Sequence, residues 1–156
     1  MGRYDDILKK AEGLKQKMID LRRDFHQYPE LGLQEFNTAR KVEGVLKALG
    51  LETRMVVNGT GVRGFLKGSE PGKTIALRAD MDALPIQEET DLPYQSQNKG
   101  VMHACGHDAH IAMLLGAATI LSEMRKELQG NVAFIFQPAE EIGAGAKAMV
   151  EEGALE

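Results

Sequence analysis

Apolar residues at the start of the chain recur every three or four positions, which is the pattern of amphipathic helices. This pattern predicts a first helix from about residue 5 to residue 28. Pro29 ends it, because the residue before a proline disfavours helical backbone angles. A second helix is predicted from residue 33 to residue 49, with Gly50 where a left-handed cap belongs. We therefore expect the fold to open with two helices that each bury one face.

The spacing of apolar residues then changes to the pattern of extended strands. Residues 51–57 and 62–67 are rich in β-branched and apolar side chains, and the turn pair Asn58-Gly59 lies between them. These two stretches predict a β-hairpin. A further short apolar strand is predicted at residues 74–77.

The second half of the chain predicts a loop, a helix, a strand and a short helix. Residues 84–99 contain two prolines and no periodicity, so we expect a long loop of the kind that often serves a site. A buried helix should begin near Asp108, whose carboxylate would cap it, and should include residues 111–121. The apolar residues 132–136 predict a strand covered on both faces, and residues 146–151 predict a last helix.

The order of these elements predicts an α/β fold. The strands at 74–77 and 132–136 are separated by a helix long enough for a crossover between parallel strands. We therefore expect a three-layer α/β sandwich with a mixed, mostly parallel sheet. In such folds ligands bind beyond the carboxyl ends of the parallel strands, where Asp80 and Asp82 follow one strand and Glu140 follows the other.

Composition narrows the functional classes. The chain of 156 residues is long enough for one domain with a hydrophobic core. It has 19 Lys and Arg against 23 Asp and Glu, and the basic residues form no dense block of the kind that binds nucleic acid. One cysteine excludes an internal disulfide, no apolar run reaches the ~20 residues that span a bilayer, and the charged amino terminus lacks a signal core. We expect a cytoplasmic protein that acts on a small molecule, without nucleic-acid or membrane partners.

Three of the four histidines and the single cysteine fall within residues 101–110. Cys105 and His107 are ligands of the kind that bind zinc and related divalent ions, and Gly106 lets the backbone turn so that both side chains converge. The alternatives for the cysteine are a small buried apolar residue and the nucleophile of a cysteine protease. Its polar neighbours disfavour the first alternative, and a carboxylate pair farther along the chain disfavours the second.

Two pairs of carboxylates follow predicted strands. Glu140 and Glu141 would allow one side chain to bind a metal while its neighbour accepts a proton from water; the alternative is a solvated helix start, where acidic residues are common. Asp80 and Asp82 face the same way from an extended segment, one as a candidate metal ligand and the other as a partner of a ligating histidine. His26 is expected to be a partly buried helix-end histidine whose charge suits the helix dipole.

Four sequence blocks, in this order, resemble the M20 metallopeptidase family. They are most similar to its amidohydrolase branch, which includes hippurate hydrolases, N-acyl-amino-acid amidohydrolases and auxin-conjugate hydrolases. The resemblance covers nearly the whole chain and implies a zinc-peptidase-like catalytic domain. The blocks are residues 26–31 (HQYPEL), 77–85 (LRADMDALP), 102–110 (MHACGHDAH) and 136–141 (FQPAEE).

The resemblance implies a hydrolase with two divalent metal ions, which would be zinc, manganese, nickel or cobalt. Cys105, His107 and Glu141 match metal ligands of this branch, and Glu140 matches its catalytic general acid and base.

Three further residues are expected to support these ligands without binding metal. Asp82 matches the supporting aspartate of the family. Asp80 stands where other branches of the family have a ligating histidine, so a ligand role is not carried over to it. His110 belongs to the same block as Cys105 and His107 and is assigned to the supporting residues.

The implied reaction is hydrolysis of the amide bond of N-acyl amino acids by a metal-bound water, with a glutamate as general base. The alternatives are a dipeptidase or carboxypeptidase of the same family, or a metal-binding segment without activity. The resemblance further implies that residues 1–156 are the amino-terminal part of the catalytic domain, without its inserted lid and dimerisation domain and its carboxyl-terminal part. We expect this part alone to be inactive, and the full-length protein to be a homodimer or a homotetramer.

Overall fold

The computed structural model describes residues 2–156, apart from the side chain of Arg3. Those residues form four α-helices, four β-strands and two short 3-10 turns at Val57–Gly59 and Arg125–Glu127. The helices are α1 (Arg3–Gln27), α2 (Phe36–Ala48), α3 (His107–Glu123) and α4 (Gly145–Glu151), and the strands are β1 (Glu52–Val56), β2 (Gly61–Lys67), β3 (Glu70–Asp80) and β4 (Gln129–Gln137).

The four strands form one mixed sheet in the order β1-β2-β4-β3. The β1–β2 hairpin and the β2–β4 pair are antiparallel, whereas β3 and β4 are parallel, with Asp80 opposite Gln137. The mixed, mostly parallel sheet is confirmed: β1, β4 and β3 run in one direction, and β2 runs against them. The physical reason is that the hairpin turn at Asn58 and Gly59 is too short for a crossover and reverses the chain, whereas α3 provides a crossover between β3 and β4.

Helices lie on both faces of the sheet, which gives the predicted three layers. Phe134 and Phe136 of β4 pack in the main core together with residues of α1, α2 and α3. Ala133 and Ile135 point to the opposite face, where Met149 of α4 packs against them. This alternation follows from the two-residue period of a strand. The prediction of an interior strand is confirmed, since β4 is covered on both faces and paired on both sides.

β1 and β3 are the edge strands of the sheet. β3 was predicted only at residues 74–77, and it extends over Glu70–Asp80 because its pairing with β4 continues beyond the apolar residues. The first seven residues of β3 are exposed, and Ile75 among them is 65% exposed. Within residues 2–156, the edge of β3 that faces away from β4 has no strand beside it.

The predicted helices, hairpin and loop are present. Gly50 follows α2 with a φ of +72°, as expected of a left-handed cap, and residues 85–99 run without helix or strand. α1 packs along α3, where a Cβ at Gly116 would lie 2.6 Å from the sulfur of Met18. The lack of a side chain at Gly116 thus lets Met18 of α1 pack closely against α3, the helix whose first residue is His107. In the part of the chain that the structure describes, none of the helices combines the length and apolarity needed to cross a bilayer.

Candidate functional site

Three segments of the chain meet beyond the carboxyl ends of β3 and β4. β3 ends at Asp80 and leads to Asp82, α3 begins at His107, and Glu140 and Glu141 follow β4. The parallel pairing of β3 with β4 places both strand ends at one edge of the sheet, as the sequence predicted.

Cys105, His107 and Glu141 each offer one ligand atom, and these three atoms lie within 4.8 Å of one another. Gly106, between the first two, has a φ of +89°, a left-handed conformation that lets the chain turn into α3. Sulfur, nitrogen and oxygen donors in one group suit zinc and related divalent transition ions. The fold thus brings together the three residues that the sequence singled out as ligands.

The ring of His107 is oriented by Asp82. Its Nδ1 lies 2.9 Å from the backbone carbonyl oxygen of Asp82 and 3.3 Å from the carboxylate Oδ1. Both oxygens are acceptors, so Nδ1 donates, and Nε2 of a neutral ring is left with its lone pair facing the group. Nε2 is 3.8 Å from Glu141 Oε1 and 3.9 Å from Glu140 Oε2. Both separations are too long for hydrogen bonds, and the 3.8 Å between His107 and Glu141 suits donors that share one ion, so Cys105, His107 and Glu141 fit a divalent cation.

Asp82 also binds the backbone of Glu141, a second candidate ligand. Its Oδ2 accepts a hydrogen bond of 2.9 Å from the backbone N–H of Glu141, and the residue is only 1% exposed. A single buried aspartate therefore fixes the ring of one candidate ligand and the backbone of another.

Negative groups dominate the electrostatics of the site. Burial disfavours the charged form of His107, but its hydrogen bond to Asp82 and its contact with Cys105 outweigh burial and raise the pKa of the ring to about 11. Burial likewise opposes ionisation of Asp82, yet hydrogen bonds from His107 and from the backbone N–H of Glu141 hold the pKa of Asp82 below its usual value. A field that retains a proton on this imidazole also favours a metal cation in its place.

Asp80 belongs to a second group, with His107 and His110, whose ligand atoms also lie within 4.8 Å of one another. Its Oδ2 is 3.8 Å from His110 Nδ1 and 4.0 Å from His107 Nε2. Its Oδ1 is 2.5 Å from Nη2 of Arg78, and Arg78 Nε donates a 2.8 Å hydrogen bond to the side-chain oxygen of Gln137. A guanidinium thus already pairs with this carboxylate, and the supporting role of Asp80 stays a prediction.

The turn that carries Glu140 is held by a residue that the sequence reading missed. Glu35, just before α2, is fully buried, and its Oε1 accepts a hydrogen bond of 2.7 Å from the backbone N–H of Ala139. Burial raises the pKa of Glu35 to about 7, against the lowering effect of that hydrogen bond. An acidic residue at the start of a helix is usually exposed, so no sequence signal distinguishes this one.

Asp108, in the first turn of α3, belongs to a second buried network of charged side chains. Oδ2 of Asp108 lies 2.7 Å from His26 Nδ1 and 2.7 Å from Arg22 Nε, and the residue before the helix is Gly106. The other oxygen of Asp108, Oδ1, accepts a 2.8 Å hydrogen bond from the backbone N–H of Ala109 in the first turn of α3. Asp108 thus binds a backbone N–H at the start of the helix as expected, but from inside the helix, since Gly106 is the residue before it. His26 is 3% exposed, more buried than expected, and its Nε2 lies 3.2 Å from Oε1 of Glu88 in the long loop.

His103 is also buried but belongs to neither group of ligand atoms. Among the described residues, neither of its ring nitrogens has a hydrogen-bond partner. Burial lowers the pKa of His103 to about 4, so the ring is neutral at physiological pH.

Comparison with known proteins places this geometry in a family. The sequence model described as peptidase family M20/M25/M40 matches residues 76–156, slightly more than half of the chain. The chain belongs to this family. The matched residues include every candidate ligand and the carboxylates beside them, so the M20/M25/M40 assignment rests on the part of the chain that forms the site.

Curated relatives and solved structures agree with the family. The chain is 50% identical over 143 residues to an N-acetyl-L-cysteine deacetylase of Bacillus subtilis, covering 92% of this chain and 34% of the relative. It is 53% identical over 138 residues to IAA-amino acid hydrolase ILR1-like 2 of Arabidopsis thaliana, covering 88% and 31%. The crystal structure of Bacillus subtilis YXEP, described as a dinuclear metal binding peptidase from the M20 family, matches with a TM-score of 0.88 and 48% identity, covering 93% and 41%. The chain thus spans well under half the length of these relatives.

Proposed function

We propose that the protein containing this chain hydrolyses the amide bond of N-acyl amino acids with the help of divalent metal ions. The observation that carries the proposal is the convergence of donor atoms from Cys105, His107 and Glu141 beside the carboxylate of Glu140. The relatives named as an N-acetyl-L-cysteine deacetylase and an IAA-amino acid hydrolase support an acylated amino acid as the substrate.

Two divalent ions are proposed, and a solved relative described as a dinuclear metal binding peptidase supports that number. Cys105, His107 and Glu141 would provide ligands from this chain, and zinc, manganese, nickel and cobalt all suit such a mixed donor set. When bound, the ions supply Lewis acidity, which acidifies the attacking water and withdraws electron density from the substrate carbonyl.

Glu140 is the proposed general base. Its side chain is 41% exposed, so it is open to solvent, and its Oε2 lies 3.9 Å from Nε2 of His107 at the rim of the group. It takes a proton from the attacking water and returns it to the leaving nitrogen. Asp82 keeps the Nδ1 proton of His107 in place throughout, which leaves Nε2 free. Asp80 and His110 are proposed to support this arrangement from the β3 side.

We further propose that residues 1–156 form the amino-terminal part of a cytoplasmic catalytic domain that acts in a homodimer or homotetramer. Support comes from the coverage of the relatives, of which this chain spans 34% and 41% in two cases. The remaining ligands would come from the rest of the protein, so we expect residues 1–156 alone to be a poor catalyst.

Hydrolysis of hippurate and N-acetyl amino acids by the full-length protein tests the proposal. We expect activity that a chelator abolishes and that added Mn²⁺ or Zn²⁺ restores. Glu140→Gln should keep its bound metal and lose ~10²–10⁴-fold in kcat, the usual worth of a general base. Glu141→Gln is the matched control, since loss of a ligand should remove metal as well as activity. If Glu140→Gln lost its metal and Glu141→Gln kept it, Glu140 would be the ligand and Glu141 the base. Activity that survives complete metal removal would contradict the proposal.

Peptide hydrolysis is the second candidate activity. It is favoured by 52% identity over 141 residues to Thermostable carboxypeptidase 1 of Saccharolobus solfataricus, covering 88% of this chain and 36% of that relative. The same assay should therefore include peptides with a free terminal carboxylate. A higher kcat/KM for these peptides than for every N-acyl amino acid tested would establish the carboxypeptidase alternative.

A further inference from the structure

Glu35 is a fully buried carboxyl group that the proposed reaction does not use. Its Oε1 accepts a hydrogen bond of 2.7 Å from the backbone N–H of Ala139, which is 104 residues away in sequence. Its Oε2 is buried and has no hydrogen-bond partner among residues 2–156. Burying a carboxyl group is costly, and the hydrogen bond from Ala139 offsets part of that cost.

The backbone that Glu35 contacts is in an unfavourable conformation. Ala139 has a φ of +51°, in the left-handed region that costs a residue with a side chain roughly 1 kcal/mol or more. The carbonyl oxygen of Ala139 accepts hydrogen bonds from the backbone N–H groups of Ala144 and Gly145, at 3.1 and 3.2 Å. Glu35 binds the other side of the same residue. The left-handed turn is thus held at both its N–H and its carbonyl oxygen.

The residue after this turn is the proposed base. The backbone N–H groups on either side of Glu140 each donate to a buried carboxylate, that of Ala139 to Glu35 and that of Glu141 to Asp82. The side chain of Glu140 itself is 41% exposed, and 3.9 Å separate it from His107. Its direction therefore depends on the backbone, since its own contacts are loose.

We propose that Glu35 is a positioning residue, which fixes the Ala139 turn and thereby aims the carboxylate of Glu140. This inference rests on the proposed function, because it assumes that Glu140 is the base. Catalytic groups must be held within ~0.5 Å of their working positions, and a displacement of ~1 Å costs up to ~100-fold in rate.

The chain offers a matched set of variants. Glu35→Gln keeps an oxygen that accepts the hydrogen bond from Ala139, and it resembles the protonated carboxyl group that burial favours. Glu35→Leu fills a similar volume and removes the acceptor. Glu30→Ala is the control, because Glu30 accepts hydrogen bonds from the first turn of α2, at the N–H groups of Asn37 and Thr38, and not from the Ala139 turn.

In the metal-loaded full-length protein, we expect Glu35→Leu to lower kcat by ~10- to 100-fold with little change in KM or in metal content. Glu35→Gln should restore kcat to within ~3-fold of the unchanged protein, and Glu30→Ala should leave kcat unaffected while lowering stability. Equal losses of kcat in Glu35→Gln and Glu35→Leu would overturn the inference, as would a folded Glu35→Leu protein with full kcat. If Glu35→Leu does not fold, Glu35→Ala removes the same acceptor and must lower kcat relative to Glu35→Gln.

Hydrogen exchange separates this inference from the proposed function. Backbone amides of residues 139 and 141 should exchange faster in Glu35→Leu than in Glu35→Gln, whether or not the protein turns over substrate. An inactive parent protein would contradict the proposed function alone. Unchanged protection of the two amides in Glu35→Leu would overturn the positioning role of Glu35.

Discussion

Cys105 is the single thiol of the chain and lies partly buried, with its Sγ 3.5 Å from the carbonyl oxygen of Asp82. A thiolate is the softest donor in the candidate group, so it contributes most where the ion is a transition metal. A hydroxyl at the same place would bind such an ion poorly at neutral pH.

Cys105→Ser should therefore weaken metal binding by at least ~10-fold, since even changes behind the ligands of a metal site cost that much. The midpoint of unfolding without metal should hardly move, because serine is close to cysteine in size. Competition with a chelating dye measures the affinity, and thermal unfolding of the metal-free protein is the control. Unchanged metal affinity would show that Cys105 is not a ligand and would favour the alternative, a small buried apolar residue.

The raised pKa of Glu35 predicts a pH dependence of stability. Its pKa is 4.5 in an exposed setting and about 7 in the folded chain, so the folded state binds the proton more tightly. The stabilising effect is complete below pH ~4.5 and is lost as the pH rises to ~7, a change of roughly 3 kcal/mol at most. Glu35→Gln removes the titration. Denaturant unfolding of both proteins from pH 4 to pH 8 should show the unchanged protein losing stability relative to Glu35→Gln, and parallel curves would contradict the raised pKa.

The candidate ligands were visible in the sequence, whereas the residues that hold them were only partly so. Cys105, His107 and Glu141 stand in short blocks whose residue types suit a metal, and Asp82 lies in such a block too. Glu35 has no such block, because its partner is a backbone N–H far along the chain. Burial of a carboxylate is a property of the assembled fold and leaves no mark on the local pattern.

At the scale of elements, helices and hairpin were predictable because each carries its own periodicity or turn pair. The parallel pairing of β3 with β4 was predictable from the helix between them, whereas the pairing of β2 with β4 was not. The order of the sheet places β4 between β2 and β3, so one strand takes part in both an antiparallel and a parallel pair. The apolar residues of β4 are equally compatible with either partner, and only the assembled sheet decides between them.

Replacing two helix glycines by alanine should change the stability of the fold in opposite directions. Gly44 lies exposed inside α2 with no atom near a potential Cβ, so Gly44→Ala should stabilise the fold by ~1 kcal/mol through helix propensity. Gly145 begins α4, and a Cβ there would lie only 1.6 Å from the carbonyl oxygen of Pro138. Gly145→Ala must displace the turn before Glu140 and should destabilise the fold by roughly 3 kcal/mol.

Denaturant unfolding of both variants measures these effects, with metal binding as a second readout. We expect Gly145→Ala, unlike Gly44→Ala, to bind metal more weakly. A neutral Gly145→Ala would show that the turn from Pro138 to Gly145 is more adaptable than its contacts indicate.

For the molecule as a whole, the exposed edge of β3 is the feature that most favours self-association. It presents unpaired backbone groups beside the exposed side chain of Ile75. Open edges of this kind pair with other chains unless a charge or a bulge prevents it.

Residues 1–156 in isolation should therefore self-associate, and Ile75→Lys should reduce the association by placing a charge on the edge. Val150→Lys is the control, since Val150 is 56% exposed on α4, away from that edge. Light scattering after size-exclusion chromatography gives the masses. A monodisperse monomer before any substitution would show that the edge of β3 is protected by other means.

The double role of Asp82 also has a kinetic consequence. It joins His107 to a backbone N–H that lies 59 residues away from Asp82, and the two come together only when β3 and β4 have paired across α3. Closing so long a connection is slow, so the metal-binding geometry should be absent from the folding transition state. Divalent ions should then leave the folding rate unchanged and slow the unfolding rate, with the entire gain in stability on the unfolding arm of the chevron. For this chain, metal binding would stabilise the folded state after it has formed and would not assist its formation.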